Sequence, residues 1–457
     1  MIAFGLCLFA LLTTLHQTRR ATVRGLIAVL GWGYFFGILR ANFSSSASYF
    51  IFDASLVGFY IASAKSILND ASARTVTLRI WVALLILWPC FICSLPFQDF
   101  LVSLVGLRGN VFFVPMLLVG AQLANRDLTQ LSKALALLNI TTLGFALGEY
   151  FVGVTRFYPE NAATAIIYAS NDVAGYAYHR IPATFITAHV YGGTMAASLP
   201  LLFGCWAVSG ESARTKLLML LGMAAAVLGI LLSATRLNFI IGALVMVGVL
   251  LSRGVSAKKK LAVVIVMTAV AVLASSNERM SRFKSLGNGQ GVIGRIGGSV
   301  NRDFWDIISE YPMGNGLGGG GTSIPFFLAD RIHRPVMIEN EYGRIALELG
   351  LPGLALWLAF AAWFMVPSQA FAYCNWRSGR IVTWCYCCLQ FFIAPIGTGL
   401  FTTAPGSAMI FLFMGWVATK QRLGEDEALL RESPHRAKIV LPQSSKQFEL
   451  LVGPGSR

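Results

Sequence analysis

Apolar runs of helical length recur along the whole chain and are separated by short polar stretches. About 20 apolar residues span a bilayer as an α-helix, so this pattern predicts roughly 12–13 membrane-spanning helices. The predicted spans are 1–16, 25–41, 49–67, 80–97, 101–123, 134–154, 187–207, 216–234, 237–252, 261–275, 346–367, 381–399 and 404–419. Basic residues follow the first run instead of preceding it, which is typical of a membrane helix and not of a secretory signal.

Composition indicates the same fold class. Of the 457 residues, 56% are hydrophobic and only 12% are charged, against roughly 25% charged in soluble domains. So few charged side chains cannot cover a water-facing surface of this size. The sequence therefore predicts an all-α polytopic integral membrane protein, with the lipid bilayer as a partner and no nucleic-acid partner. The eight cysteines lie in or beside apolar runs, and we interpret them as packing residues, not as a disulfide framework or a metal site.

Charge distribution predicts the orientation and the organisation of the chain. The short loops of one side, with the tail, hold 23 of the 36 basic residues, which assigns that side to the cytoplasm. The large outer loop is expected to contain short helices, and the tail is expected to be poorly ordered. The predicted parts are helices within 1–275 with an outer segment at 155–186, the large outer loop at 276–345, three last spans within 346–419, and the tail at 420–457.

The predicted outer face is rich in arginine. It carries twelve arginines and a single lysine, whereas the predicted inner face has nine lysines and fourteen arginines. A guanidinium presents a planar set of donors that matches phosphate or carboxylate bidentately, which lysine cannot do. This bias indicates a site for a phosphorylated or acidic substrate. The alternative is that most of these arginines pair with acidic residues of the outer loop and help to fold it.

Four stretches stand out on this face. Arg236 lies in "LLSATRLNF", at an interface where a charge is expensive and usually functional; its alternative role is to reach lipid headgroups. The glycines of "GNGLGGGG" (314–321) could bring backbone N–H groups close to a phosphate, or could simply form a turn. The other two are "RIPATFITAHVYGG" (180–193) and "ENEYGRIALELGLPGLALWL" (339–358), which opens a span with charged residues.

Together with "RDFWDIISEYPMGNGLGGG", these stretches resemble the O-antigen ligase and polymerase family of bacterial envelope glycosyltransferases. The resemblance covers about 180–360 and implies a donor glycan on undecaprenyl pyrophosphate, with no metal and no cofactor. It also implies a bacterial inner membrane, an active site facing the periplasm, and a chain-length regulator or flippase of the same pathway as candidate partners. Where ligases of the family carry a histidine before Asn-x-Tyr, this chain has Glu339, which favours a polymerase.

The resemblance assigns roles to individual residues. Arg236 would bind the pyrophosphate together with Arg302 or Arg295 of the outer loop. Glu339, or in second place Glu341, would accept the proton of the acceptor hydroxyl. The residues expected to line the same cavity are Arg180, His189, His333, Asn340, Tyr342 and Arg344.

Several alternatives stay open at this point. Glu341, Arg344 and Glu348 are spaced i, i+3 and i+7, so they could form a salt-bridged helical face instead of a catalytic site. Within the family, transfer of the glycan to lipid A core or to a protein acceptor competes with polymerisation. A secondary transporter is the alternative from another class. Transporters often show repeated halves and helices broken near the membrane midplane, and the sequence shows no paired halves.

Overall fold

The structure is a computed structural model, which describes residues 1–419 except 70–74, 170–177, 209, 253–255, 277–282, 284–296, 298–303, 322–323, 337, 339 and 367–374. The predicted tail, 420–457, therefore lies outside the described residues. The helices are α1 (Ile2–Arg20), α2 (Thr22–Asn42), α3 (Ile51–Asn69), α4 (Val76–Cys93), α5 (Phe100–Val111), α6 (Met116–Ala121), α7 (Asn125–Val152), α8 (Ala165–Tyr168), α9 (Ala188–Ala207), α10 (Ala213–Leu232), α11 (Arg236–Leu251), α12 (Ala257–Ser276), α13 (Phe304–Glu310), α14 (Glu341–Met365), α15 (Arg377–Ile393) and α16 (Gly406–Ala418). Short 3-10 turns cover Ser46–Phe50, Val154–Arg156 and Phe326–Arg331.

Among the described residues, eight helical stretches are long and apolar enough to cross a membrane. They are α2, α4, α7, α9, α10 and α14, together with Ser46–Ile67 and Phe100–Ala121. Shorter apolar helices are α11, α16 and 260–269 within α12. Every predicted span falls on a described helix, and the part of the chain that the structure describes has no β-strand. The prediction of an all-α polytopic membrane protein is confirmed.

Helix α9 lies at the centre of the helical core. It packs against α7, α10, α11, α15 and α16. In its most apolar stretch, 89% of the residues are buried within the protein. Small residues at such contacts let helix backbones approach closely. Gly204 serves this purpose in α9, because a Cβ there would lie 3.0 Å from the Cα of Gly379 in α15. The same device joins α6 to α16, since a Cβ at Gly120 would lie 1.9 Å from the Leu412 carbonyl oxygen.

Helix α14 is broken in its third turn. Gly350 has a φ of +70°, a conformation that favours glycine, and Pro352 has no N–H to donate to a carbonyl one turn earlier. The Leu351 N–H donates to the Pro312 carbonyl at 2.9 Å. This N–H has lost its partner within the helix because of the break, and a segment that precedes α14 supplies the acceptor instead. The helix also begins at Glu341, whereas the predicted span began at 346. The predicted loop boundary at 345 is a membrane boundary and stays a prediction.

The predicted span 101–123 consists of two helices, α5 and α6, separated by a turn at 112–115. Arg108, its one basic residue, lies 2.8 Å (Nε to Oδ1) from Asp53 of α3. Charged residues inside membrane spans are normally paired in this way, because an isolated charge is expensive there. The pair therefore joins α5, the first half of this interrupted span, to α3.

Candidate functional site

The turn before α11 packs on the first turn of α9. Within the turn, Ser233 Oγ and Thr235 Oγ1 lie 2.9 Å apart, and Asn238 Nδ2 donates to Thr235 Oγ1 at 3.0 Å. The same amide donates to the His189 carbonyl at 2.8 Å. Gly192 lies beneath the turn, where a Cβ would approach Ser233 Oγ to 2.5 Å. Two stretches singled out in the sequence, "LLSATRLNF" and "AHVYGG", thus form one contact.

Arg236 is the first residue of α11, and its side chain is half-buried. A helix N-terminus presents unpaired N–H groups and carries a partial positive charge, so the guanidinium and the helix end both favour an anion. The next residue, Leu237, contacts the segment 394–400 between α15 and α16: a Cβ at Gly397 would lie 3.1 Å from Leu237 Cδ2. The start of α11 is therefore held against this segment.

An acid–arginine cluster joins the first turns of α14 to the end of α5. We define it as Glu341, Arg344 and Glu348 of α14 together with Asn110 of α5. Arg344 Nη2 lies 2.8 Å from Glu341 Oε1, and Arg344 Nη1 lies 2.7 Å from Glu348 Oε2. Asn110 of α5 accepts from Arg344 Nη1 at 3.0 Å and donates to Glu348 Oε2 at 2.9 Å. The three ionisable side chains are 0% exposed. The salt-bridged helical face considered from the sequence is thus present, but in the interior of the protein.

The other carboxylate oxygen of Glu341 binds the segment 394–400. Glu341 Oε2 accepts from the backbone N–H of Gly399 at 2.6 Å and of Leu400 at 3.2 Å. The Glu341 N–H donates to the Ala394 carbonyl at 2.8 Å. Gly399 has a φ of +75°, which a residue with a side chain rarely adopts. Both oxygens of Glu341 are occupied, and the segment 394–400 joins the cluster to the start of α11.

A small cavity with a mixed polar and apolar lining lies beside this segment, between α9, α11, α15 and α16. It encloses about 50 Å³, which is room for water molecules but not for a sugar ring. His189 lies at its open end, because the imidazole both lines the cavity and is exposed. The polar residues that line the cavity are His189, Thr194, Asn238, Gln390, Thr403 and Ser407.

Asn340 and Tyr342 stabilise the N-terminus of α14. The Asn340 side chain caps the helix by accepting from the Gly343 N–H, as Asn does at the N-cap position. The Tyr342 hydroxyl donates to the Phe391 carbonyl of α15 at 2.9 Å. These two predicted cavity residues therefore hold α14 in place next to α15.

The glycine run packs against α5 and α14. The Asn315 N–H donates to the Leu347 carbonyl at 2.6 Å, and a Cβ at Gly106 of α5 would lie 2.5 Å from the Gly318 nitrogen. Within the run, the N–H groups of 319 and 321 donate to carbonyls of the run itself. The Gly314 N–H donates to the Tyr311 carbonyl at 2.9 Å. Four N–H groups are thus used for packing and turn formation, which favours the interpretation of the run as a turn.

His333 is positioned through its backbone. Gln98 Nε2 donates to the His333 carbonyl at 2.9 Å, and the His333 N–H donates to Gln98 Oε1 at 2.8 Å, while the residue as a whole is exposed. These bonds fasten His333 to the polypeptide just before α5, on the side of the glycine run.

The chain enters α9 through a buried, non-helical segment, 181–186. The Tyr158 hydroxyl donates to the carbonyls of Ala183 and Phe185 at 2.7 Å and 2.8 Å. Burial raises the pKa of Tyr158 well above its ordinary value, so the hydroxyl stays a donor. This segment carries Arg180 at its start and leads to His189.

The predicted site residues fall into three groups. The largest group lies around the segment 394–400 and the helix ends that it joins, and comprises His189, Arg236, Asn340, Glu341, Tyr342 and Arg344. Arg180 and His333 lie on other segments, as described above. Glu339, Arg295 and Arg302 lie outside the described residues. Two participants were missed from the sequence: Asn110, which has no charge to reveal it, and Gly399, which contributes a backbone N–H.

No group of three or more metal-ligating side chains occurs within the described residues. Comparison with known proteins found no family model and no curated protein that matches the chain.

Proposed function

We propose that the protein is a membrane glycosyltransferase that polymerises glycan units carried on undecaprenyl pyrophosphate at the outer face of a bacterial inner membrane. One observation carries the proposal: the start of α11, with Arg236, and the start of α14, with Glu341, contact the same segment, 394–400. The resemblance gives a leaving-group role to the first helix and a proton-accepting role to the second. Glycosyl transfer needs both at one site.

The proposed reaction is a substitution at the anomeric carbon of the donor. An acceptor hydroxyl oxygen forms a bond to that carbon while the bond to the pyrophosphate oxygen breaks, and the hydroxyl proton passes to a base. The pyrophosphate leaves with the electron pair of the broken bond. Cations that are fixed in advance in a water-poor site stabilise such a leaving group strongly. We assign this role to Arg236, joined by Arg302 or Arg295.

The contacts of Glu341 favour a positioning role over that of the base. Its two oxygens accept from Arg344 and from the backbone of 394–400, and its exposure is 0%. A substrate hydroxyl would have to displace these donors to reach it. Glu339, two residues earlier in the sequence, is therefore the preferred candidate for the base.

Purified full-length protein in nanodiscs, supplied with the undecaprenyl-pyrophosphate-linked repeat unit of the producing organism, tests the proposal. Products are separated by size. Arg236→Lys should lose most of the polymer, because the charge stays but the bidentate donor fork is lost. The matched control is Arg331→Lys. Arg331 is 55% exposed, and its ion pair with Asp99 is long, at 3.8 Å, so this variant should keep the wild-type yield. Full activity in Arg236→Lys would remove Arg236 from the leaving-group site.

The same assay separates the polymerase from its closest alternatives. A ligase or a protein O-oligosaccharyltransferase would leave the donor unpolymerised and transfer it once, to lipid A core or to a protein acceptor added later. Glu339 in place of the family's histidine favours the polymerase.

A secondary transporter is the second candidate, and one observation favours it. Two interrupted membrane helices meet at the acid–arginine cluster: Asn110 lies next to the end of α5, and Glu348 lies two residues before the break at Gly350. Broken helices with charged groups near the break are typical of transporters. Uptake of a labelled lipid-linked or soluble glycan into proteoliposomes without any change in its covalent structure would support this candidate against the enzyme.

A further inference from the structure

Glu149 is a buried carboxyl group that the proposed chemistry does not use. It lies near the end of α7, three residues before Val152, and is 0% exposed. Its Oε2 accepts from the Ala183 N–H at 3.0 Å, while its Oε1 has no hydrogen-bond partner among the described residues. None of the ion pairs between described residues includes Glu149. The group thus has a single donor for two oxygens.

The titratable side chains that face Glu149 from neighbouring elements are tyrosines. They are Tyr158 and Tyr168 of the stretch after α7, and Tyr191 of α9. Two of these hydroxyls have other acceptors: Tyr158 donates to the carbonyls of Ala183 and Phe185, and Tyr168 donates to the Tyr158 carbonyl. Arg180 is the nearest cation along the 181–186 segment, and no described ion pair joins it to Glu149.

These surroundings suit a neutral acid better than an anion. Removing a carboxylate from water without a counter-ion costs more than one backbone hydrogen bond returns. A neutral acid keeps Oε2 as the acceptor for Ala183 and places its hydroxyl on Oε1, where an unpaired neutral group costs less free energy than an unpaired charge. Ionisable residues buried within membrane domains are commonly functional sites for the same reason.

We propose that Glu149 carries a proton at neutral pH and forms a proton-binding site that joins α7 to the segment 181–186. The inference stands independently of the proposed glycosyltransferase activity, because it rests only on the contacts of α7 and this segment. Its ligand is a proton, exchanged with the solvent beyond the end of α7.

The segment 181–186 lies between α2 and α7, so the charge of Glu149 affects how this segment is held. On its other side the segment is fixed to α2: Thr184 Oγ1 donates to the Tyr34 carbonyl at 2.5 Å, and the Ile38 N–H donates to the Thr184 carbonyl at 3.0 Å. Glu149 supplies the contact with α7. Ionisation of Glu149 would leave an uncompensated buried charge on one side of a segment that leads directly to His189, which lines the cavity.

Infrared difference spectroscopy on the full-length protein in nanodiscs tests the proton directly. The wild-type minus Glu149→Gln spectrum at neutral pH should contain the C=O stretch of a protonated acid, which a carboxylate lacks. The matched control is Glu160→Gln, an exposed glutamate of the same region, which should change carboxylate bands only. A wild-type minus Glu149→Gln spectrum that contains only carboxylate bands would overturn the proposal.

Thermal unfolding gives a second, independent measurement. If Glu149 is neutral when folded and ionises on unfolding, unfolding releases a proton and raising the pH favours the unfolded chain. The midpoint of Glu149→Gln should match wild type below about pH 4, where the unfolded glutamate is itself protonated, and should exceed it increasingly as the pH rises to neutral, because the amide has no proton to release. A Glu149→Gln variant that fails to fold, or that is destabilised as much as Glu149→Ala at every pH, would contradict a neutral acid.

Discussion

Replacing Arg344 with methionine tests whether the acid–arginine cluster holds α14 in place. The guanidinium makes four hydrogen bonds, two to Glu341, one to Glu348 and one to Asn110. Each charge-assisted bond is worth about 1.5–3 kcal/mol, but such contributions do not add within one cluster. Breaking a buried ion pair typically costs about 3–5 kcal/mol, because a charge is left unpaired. We expect Arg344→Met to lower the free energy of unfolding by about this amount.

Reversible denaturation in mixed micelles provides the assay. The matched control is Arg331→Met, which removes an exposed arginine 3.8 Å from its acidic neighbour and should cost at most ~1 kcal/mol. Combining Arg344→Met with Glu341→Gln and Glu348→Gln removes all three ionisable groups and should recover much of the loss, because no unpaired buried charge remains. If Arg344→Met cost no more than Arg331→Met, the cluster would not be what stabilises the start of α14.

Three further substitutions follow from the site. Gly192→Ala should reduce activity because its Cβ would lie 2.5 Å from Ser233 Oγ and displace the turn before α11; unchanged product yield would refute this. Gly350→Ala should lower the free energy of unfolding by about 1–3 kcal/mol, since alanine is strained at a positive φ. Gly144→Ala is the control for both variants, because nothing lies within 4 Å of its Cβ. Glu339→Gln should fold as wild type but give no polymer, and normal turnover would exclude Glu339 as the base.

Much of the fold could be predicted from the sequence. The membrane spans are visible because a bilayer demands long apolar runs, which few soluble segments contain. The apolar span was predicted from 346 while α14 begins at Glu341, because the count of apolar residues excludes charged ones. Glu341 and Arg344 lie inside the helix since they neutralise each other there, and composition alone does not show such pairing.

The site could be predicted only in part. Residues close in sequence, such as those of "LLSATRLNF", were recognised because their charge is unusual at a membrane interface. Contacts between distant parts of the chain were not: Asn110 bonds to Arg344 across 234 residues, and the Gly399 N–H binds Glu341 across 58. Periodicity carries no information about such partners, and a backbone donor has no side chain to mark it.

Incubation of the wild-type protein in nanodiscs with its undecaprenyl-pyrophosphate-linked repeat unit, and no second acceptor, tests the central proposal most directly. The proposal predicts a ladder of products at multiples of the repeat unit, with release of undecaprenyl pyrophosphate. Donor that stays intact, both alone and after lipid A core or a protein acceptor is added, would contradict the assignment of the protein as a glycosyltransferase.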